Sequence, residues 1–164
     1  MELISKKIPL LIKNTFNPKH LGTKISEESS NNEVVVKGIS HIDNVSLINI
    51  EGSGMFGVTG FAKRMFEALS ERKVNVIMIT QASSEHSICV AVRTNYDEIA
   101  KKAIDNKFSH EISLGKISPS RIERNMVNIA VVGEGMKNHQ GISGKLFSTL
   151  GNNNINIKAI AQGA

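Results

Sequence analysis

Between Ser46 and Gln81 the hydrophobic positions follow first the period of a strand, then that of a helix, and then that of a strand again. Ser46–Glu51 predicts a short strand that stops at a turn containing Gly52 and Gly54. From Gly60 onward, apolar residues at helical spacing predict an amphipathic helix. They are Phe61, Ala62, Met65, Phe66 and Leu69. Val74–Thr80 is apolar at almost every position, which predicts a central strand covered on both faces.

The same pattern returns 81 residues later, where Gly133 and Gly135 repeat Gly52 and Gly54. Further pairs at this spacing are Gly60 and Gly141, Phe66 and Phe147, Leu69 and Leu150, Asn75 and Asn156, Ile79 and Ile160, and Gln81 and Gln162. Turn glycines, core positions and a terminal glutamine agree without a gap. We therefore infer two copies of one small unit.

The first copy continues through a second predicted strand, His86–Thr94, into a second predicted helix. Asn95 is placed to cap that helix, with Glu98 in the capping-box position. The apolar face of the helix is Ile99, Ala100, Ala103, Ile104 and Phe108. Glu111–Leu114 is the predicted final strand. The order is βαββαβ, an α+β fold with two helices on one antiparallel sheet, whose open apolar face would need a partner.

The second copy follows a predicted connection at Lys116–Asn125. It comprises a strand at Asn128–Val132, a helix at Ile142–Leu150 and a strand at Ile155–Ala161. The pattern then stops. We expect either a fragment or a second unit completed by a partner, and we favour the fragment.

The residues before the first copy differ from it in composition. Ile8–Lys13 predicts a strand, and the polar stretch Ser26–Glu33 predicts a flexible linker. The predicted division is residues 1–33 as a preceding segment and linker, 34–118 as the first domain, and 119–164 as the start of an incomplete second domain.

Composition excludes several classes of function. The net charge of +5 is spread over separate pairs, and aromatic residues make up only 4% of the chain, so nucleic acid is not an expected partner. No apolar run approaches the roughly 20 residues of a membrane span. Cys89 is the single cysteine; it fits a reducing cytoplasm and is expected to be an inert core thiol. The histidines have no metal-ligand spacing.

The first glycine turn, GSGMFG, has the spacing of a dinucleotide-binding loop. However, Gln81 stands where that motif needs an acidic residue, and the second copy lacks the third glycine. Two interpretations stay open: a turn that requires positive φ, or a loop whose amides bind the carboxylate of a small ligand.

Gln81 and Gln162 end equivalent strands. A carboxamide there can bind an amino acid or hydrogen-bond a loop. The Ser83–Ser87 stretch contains hydroxyls, an acid and an imidazole, but no nucleophile elbow surrounds its serines. A catalytic role is not expected.

The stretches EGSGMFGVTGFAKRMFEAL, NVIMITQASSEHSICVAV and VVGEGMKNHQGISGKLFSTL resemble the regulatory region of aspartate kinases. The resemblance is strongest to the threonine-sensitive type that is often fused to homoserine dehydrogenase. IPLLIKNTFNPKHLGTKI is similar to the segment that closes the kinase domain in that family. The lysine- and glycine-rich phosphate-binding segment of the kinase domain has no match here.

The resemblance implies tandem ferredoxin-like ACT domains, the second truncated, which pair as a homodimer or higher oligomer and bind threonine or lysine where they join. The implied effector-binding residues are Gly54, Met55, Phe56, Gly57, Ile79, Gln81, Ala82 and Gln162. ATP and Mg are implied only for the missing kinase domain, so no catalytic residue, metal or cofactor is expected in this segment. The alternative is an ACT-type dimerisation module that binds no ligand.

Overall fold

A computed structural model describes residues 2–26, 35–55, 59–81 and 86–162. Its main body is a four-stranded antiparallel sheet with strand order β4-β5-β3-β6. The strands are β3 (Gly38–Glu51), β4 (Val76–Gln81), β5 (Ser87–Arg93) and β6 (Arg121–Val132). The helices are α2 (Phe61–Glu71), α3 (Asp97–Lys107), α4 (Ser109–Ser113) and α5 (Ile142–Asn152). The predicted βαββαβ order of the first copy is confirmed.

Helix α2 shows how local sequence sets an element. Gly60 stands before it with φ 81°, a left-handed conformation that glycine adopts without steric cost. Phe61, Met65 and Leu69 then fall on the buried face. The helix ends where Lys73 turns to φ 54° and the N–H of Val74 donates to the carbonyl of Leu69 at 3.0 Å.

The core lies between α2, α3 and one face of the sheet. Met65, Val90, Val92, Ile104 and Phe108 are fully buried there. The opposite face of the sheet forms a smaller cluster of Val45, Leu47 and Ala91. Ala159, from the end of the chain, packs against this second cluster. The face that the sequence leaves open is thus partly covered by the second copy.

Strands β3 and β6 each belong to both copies. Asn49 pairs with Arg121, and a shift of 81 residues turns this pair into Ala130 with Ser40, which also pair. Ser40–Ile42 therefore holds, in the second copy, the sheet position that Arg121–Glu123 holds in the first. The predicted division at residue 118 stays a prediction, because strand pairing joins residues from both sides of it.

Other details repeat with the same spacing. Asn44 and Asn125 both have left-handed backbone, with φ 55° and 61°, and asparagine tolerates this region better than most residues. The N–H of Ser118 donates to Glu51 at 2.9 Å, and that of Lys37 donates to Val132 at 2.8 Å. The repeat predicted from sequence is therefore a structural repeat.

The sequence predicts a central strand at Val74–Thr80, and this prediction is wrong for β4. It pairs only with β5 among the described strands and stands at the edge of the sheet. Apolar residues on both faces of a strand do not by themselves identify its neighbours.

The predicted final strand Glu111–Leu114 is wrong, because this stretch belongs mainly to helix α4. The N–H of Ile112 donates to the carbonyl of Phe108 at 2.9 Å, which continues helical geometry after α3. The final strand is β6, which begins at Arg121 inside the predicted connection Lys116–Asn125.

The predicted capping box is also wrong. Asn95 lies in a short 3-10 turn, Thr94–Tyr96, and α3 begins at Asp97 without a side-chain cap. The carboxylate of Glu98 instead accepts a hydrogen bond from Arg124 at 2.6 Å.

The predicted strand Ile155–Ala161 is not a strand. A strand needs a hydrogen-bonded neighbour, and in the first copy β4 finds it in β5. Among the described residues there is no counterpart of β5 beside Ile155–Ala161, so this extended segment lies on the sheet face without ladder bonds.

The N-terminal residues form a short helix α1 (Glu2–Ser5) and a hairpin of β1 (Leu10–Ile12) and β2 (Thr23–Ile25). The strand predicted at Ile8–Lys13 is confirmed. The predicted linker lies outside the described residues from position 27 on. Within the described ranges, no helix is long and apolar enough to cross a membrane.

Candidate functional site

The C-terminal ends of β3 and β4 lie at the same end of the sheet. Both strands run antiparallel to β5, which stands between them, so they run parallel to each other. Glu51 pairs with Ser87 and Gln81 with Ile88 at the start of β5. The fold therefore brings the glycine turn and Gln81 to the same end of the sheet, on two strands that lie about 10 Å apart.

The described part of the glycine turn packs against the segment before β6. The N–H of Gly54 donates to the carbonyl of Lys116 at 2.8 Å, and that of Met55 donates to Gly52 at 3.2 Å. A Cβ atom on Gly54 would lie 2.6 Å from Cβ of Lys116, and one on Gly52 would lie 2.5 Å from Cα of Ile117. These glycines permit close backbone packing.

This packing limits how the turn could bind an anion. The amides of Gly54 and Met55 already donate to protein carbonyls, so they are not available for a carboxylate. The Met55 side chain is only 4% exposed and belongs to the core. Phe56 and Gly57, the remaining predicted residues of this loop, lie outside the described residues.

Ile79 and Gln81 are better placed to contact a ligand. Both side chains are exposed on β4, Ile79 to 48%. Because β4 is an edge strand, its outer side can also receive a further strand. Ala82, the residue after Gln81, lies outside the described residues.

The second copy repeats the turn but not the strand. The N–H of Met136 donates to Gly133 at 3.2 Å, as that of Met55 does to Gly52. Val35 packs against Gly133 and Gly135. Gln162 is exposed in a segment without strand structure, so the second copy of the site is less completely formed than the first.

The enzymatic alternatives gain no support from this geometry. In a dinucleotide site the glycines leave room for a pyrophosphate, whereas Gly52 and Gly54 face Lys116 and Ile117 closely. Ser83, Ser84 and Glu85 lie outside the described residues. Among the residues that the structure does describe, no group of three His, Cys, Asp or Glu could hold a metal ion.

Cys89 is half-buried beside the second cluster. Desolvation, and to a lesser extent the charge of Glu123, raise the pKa of its thiol. A thiol with a raised pKa is a weak nucleophile at neutral pH, which fits the predicted inert role.

A buried polar cluster was not predicted from the sequence. Asp97 accepts hydrogen bonds from Arg124 Nε at 2.7 Å and from Ser46 Oγ at 3.0 Å, and Ser46 Oγ lies 2.9 Å from Thr94 Oγ1. The Arg124 hydrogen bond, with a smaller contribution from Ser46, lowers the pKa of Asp97 against the effect of burial. Ser46, Asp97 and Arg124 are far apart in sequence and share no motif, so no local signal indicates the cluster.

Comparison with known proteins decides the family. A family profile described as "ACT domain" matches residues 48–108 and 129–164, the two copies of the repeat. The chain belongs to the ACT-domain family. Its fold is the α+β ACT fold in tandem.

The relatives are aspartokinases. The chain is 40% identical over 162 residues to the bifunctional aspartokinase/homoserine dehydrogenase of Haemophilus influenzae, covering 99% of this chain and 20% of that protein. It therefore spans about a fifth of the length of this relative. The predicted resemblance to an aspartokinase regulatory region, of the type fused to homoserine dehydrogenase, is confirmed.

Two solved structures have the same fold. Clostridium acetobutylicum aspartate kinase superposes with a TM-score of 0.83 at 26% identity, covering 99% of this chain and 37% of that one. E. coli aspartokinase III, solved with lysine and aspartate, gives a TM-score of 0.73 at 20% identity over 99% of this ACT region and 34% of that chain. At that identity the second likeness shows the fold alone.

Proposed function

We propose that this chain senses an end-product amino acid, threonine or lysine, and regulates an aspartokinase to which it belongs or binds. The observation that supports this best is that β3 and β4 finish at the same end of the sheet. This end presents the exposed carboxamide of Gln81 next to the exposed side chain of Ile79.

The proposed site needs two chains. In this arrangement the β4 edges of two protomers face each other, and the amino acid lies between Gln81, Ile79 and the loop after β3. Gln81 can donate to the α-carboxylate and accept from the α-ammonium group or a side-chain hydroxyl. The Phe56 and Gly57 amides would supply further donors, because those of Gly54 and Met55 already have protein acceptors.

Regulation follows from differential affinity. An effector that binds the paired arrangement more tightly than other arrangements shifts the population toward it. The attached kinase domain would then be held in an inhibited state, and the coupling is reciprocal between effector and substrate sites. Localisation in the cytoplasm also belongs to this proposal.

A second candidate function is dimerisation without a ligand. The exposed edge of β4, with Ile79 on it, favours this alternative because such an edge can pair with another chain whether or not a ligand is bound.

Calorimetric titration of the 164-residue chain with threonine, lysine and methionine distinguishes the two functions, together with its mass in solution. Saturable binding of threonine or lysine by a dimer supports the sensor. A dimer that binds none of the three supports the dimerisation module.

The residue-level test compares two glutamines. Gln81→Ala should weaken binding at least about tenfold, since it removes a hydrogen bond to a charged group. Gln140→Ala removes the same side chain from an exposed position before α5 and should leave the affinity unchanged. Equal affinities for both variants would remove Gln81 from the site.

A further inference from the structure

The two copies of the repeat meet where β3 and β6 pass from one copy to the other. Asn44 on β3 and Asn125 on β6 mark these crossing points with left-handed backbone. The register between the strands shifts between Ile42 and Val45 and again between Val45 and Leu47. A regular ladder resists bending better than one interrupted by bulges, so the crossing is where the copies can rotate relative to each other.

Side chains on both crossing strands bind the same buried carboxylate. Arg124 precedes the crossing on β6, Ser46 follows it on β3, and both donate to Asp97 at the start of α3. The Asp97 side chain is 5% exposed and Ser46 is fully buried. Moving either strand relative to α3 would break a charge-assisted hydrogen bond to a carboxylate that is largely buried.

Among the residues that the structure describes, the other side of the crossing has different side chains at the equivalent positions. The 81-residue shift places Val127 at the position of Ser46 and Asp43 at that of Arg124. Val127 is 53% exposed, and the Asp43 side chain is 60% exposed and lies 3.4 Å from His41. Among the described residues, the crossing is therefore bound through this cluster to the first copy.

We propose that Ser46, Asp97 and Arg124 form a lock that holds the second copy at a fixed angle to the first. They are positioning residues, since they lie away from Gln81: Ser46 pairs with Val92 and Gln81 pairs with Ile88, which are four residues or about 13 Å apart along β5. The lock itself does not depend on effector binding. Its regulatory meaning rests on the proposed function, because the angle between copies is a quantity that an effector can shift.

The test measures that angle without a ligand. Spin labels are attached at Lys102→Cys on α3 and Lys145→Cys on α5, both exposed, in a Cys89→Ala background. Pulsed electron resonance then gives the distribution of distances between the copies. We expect one narrow maximum for the intact lock, and a broadened or displaced distribution in Asp97→Asn and Arg124→Gln.

Glu111→Gln is the matched control. It removes another carboxylate paired with an arginine, Arg64, but this pair joins α2 to α4 and does not include a residue of β3 or β6. It should lower the melting temperature while leaving the distances unchanged, which separates locking from stability. If Asp97→Asn does not fold, Ser46→Ala and Arg124→Lys provide milder changes. Distributions with the same width and the same maximum as in the unsubstituted chain, in every folded variant, would overturn the proposal.

Threonine or lysine titration of the folded lock variants addresses regulation separately. A broadened distance distribution with unchanged effector affinity would keep the lock and remove its link to the effector. Absence of effector binding in all variants and in the parent chain would contradict the proposed function and leave the lock in place.

Discussion

The Arg124 guanidinium binds the Asp97 carboxylate through Nε at 2.7 Å and reaches Glu98 through Nη2 at 2.6 Å. One arginine on the last strand of the first copy thus holds the first two residues of α3. Two carboxylates at a helix N-terminus also interact favourably with the helix dipole. The two carboxylates differ in burial, since the Asp97 side chain is 5% exposed and that of Glu98 is 58% exposed. Their contributions to the free energy of unfolding should therefore differ.

Asp97→Asn should lower the free energy of unfolding by about 1–3 kcal/mol, because it weakens two hydrogen bonds to a buried charged group. Glu98→Gln, the control on the same arginine, should cost less than about 1 kcal/mol, as expected for an exposed ion pair. Urea unfolding followed by circular dichroism measures both. Equal losses of unfolding free energy in the two variants would mean that the burial of Asp97 does not strengthen its contribution to stability.

Stability should fall at acidic pH. The pKa of Asp97 is lowered chiefly by Arg124 and that of Glu111 by Arg64. For Asp105, burial acts to raise the pKa, but hydrogen bonds from Lys101 and Ser120 outweigh it and the net shift is downward. A carboxyl group with a lowered folded-state pKa stabilises the fold above its unfolded pKa, and this contribution is lost as pH falls through the folded value.

We therefore expect a plateau in the urea midpoint above about pH 4.5, near the unfolded carboxyl pKa values, and a decline below it. Asp97→Asn should make the decline shallower. Asp43→Asn, at a carboxylate that is 60% exposed, serves as the comparison. A midpoint that rises on acidification would contradict the assignment.

Gly54→Ala should destabilise the fold by about 1–3 kcal/mol, as overpacking does. Its Cβ would lie 2.6 Å from Cβ of Lys116 and 3.0 Å from the Lys116 carbonyl oxygen. Gly144→Ala is the opposite case: it lies in α5, and apart from its chain neighbours and the backbone of its own helix no described atom lies within 4 Å of the new Cβ. It should stabilise by about 0.5–1 kcal/mol, because alanine favours helices. Thermal unfolding of the two variants should shift in opposite directions.

Ile79→Lys tests pairing through the β4 edge. A lysine on an edge strand opposes strand addition, so the variant should sediment as a smaller species than the unsubstituted chain. Ile99→Lys is the control, since Ile99 is 46% exposed on α3 and Ile79 is 48% exposed on β4. If only Ile99→Lys changed the mass, the interface would lie on the helices.

Local sequence was sufficient where an element depends on its own residues. The stripe of Phe61, Met65 and Leu69 determined the buried face of α2, and left-handed Gly60 determined its start. Alternating Ile88, Val90 and Val92 likewise determined the core face of β5. The 81-residue repeat was visible because both copies need the same turn glycines and core positions.

Sequence was insufficient where an element depends on its neighbours. Val74–Thr80 and Ile155–Ala161 have equivalent positions, yet only the first contributes to a strand, because only it has a β5 beside it. Glu111–Leu114 was too short for periodicity to separate strand from helix.

The candidate site divides in the same way. The sequence indicated Gln81 and the glycine turn through their recurrence, and the fold placed both at the same end of the sheet. Only the tertiary structure decided that the Gly54 and Met55 amides already have acceptors. Only it brought Ser46, Asp97 and Arg124 together. The physical reason is that periodicity and turn chemistry act over a few residues, whereas pairing, burial and ion pairs are set by residues distant in the chain.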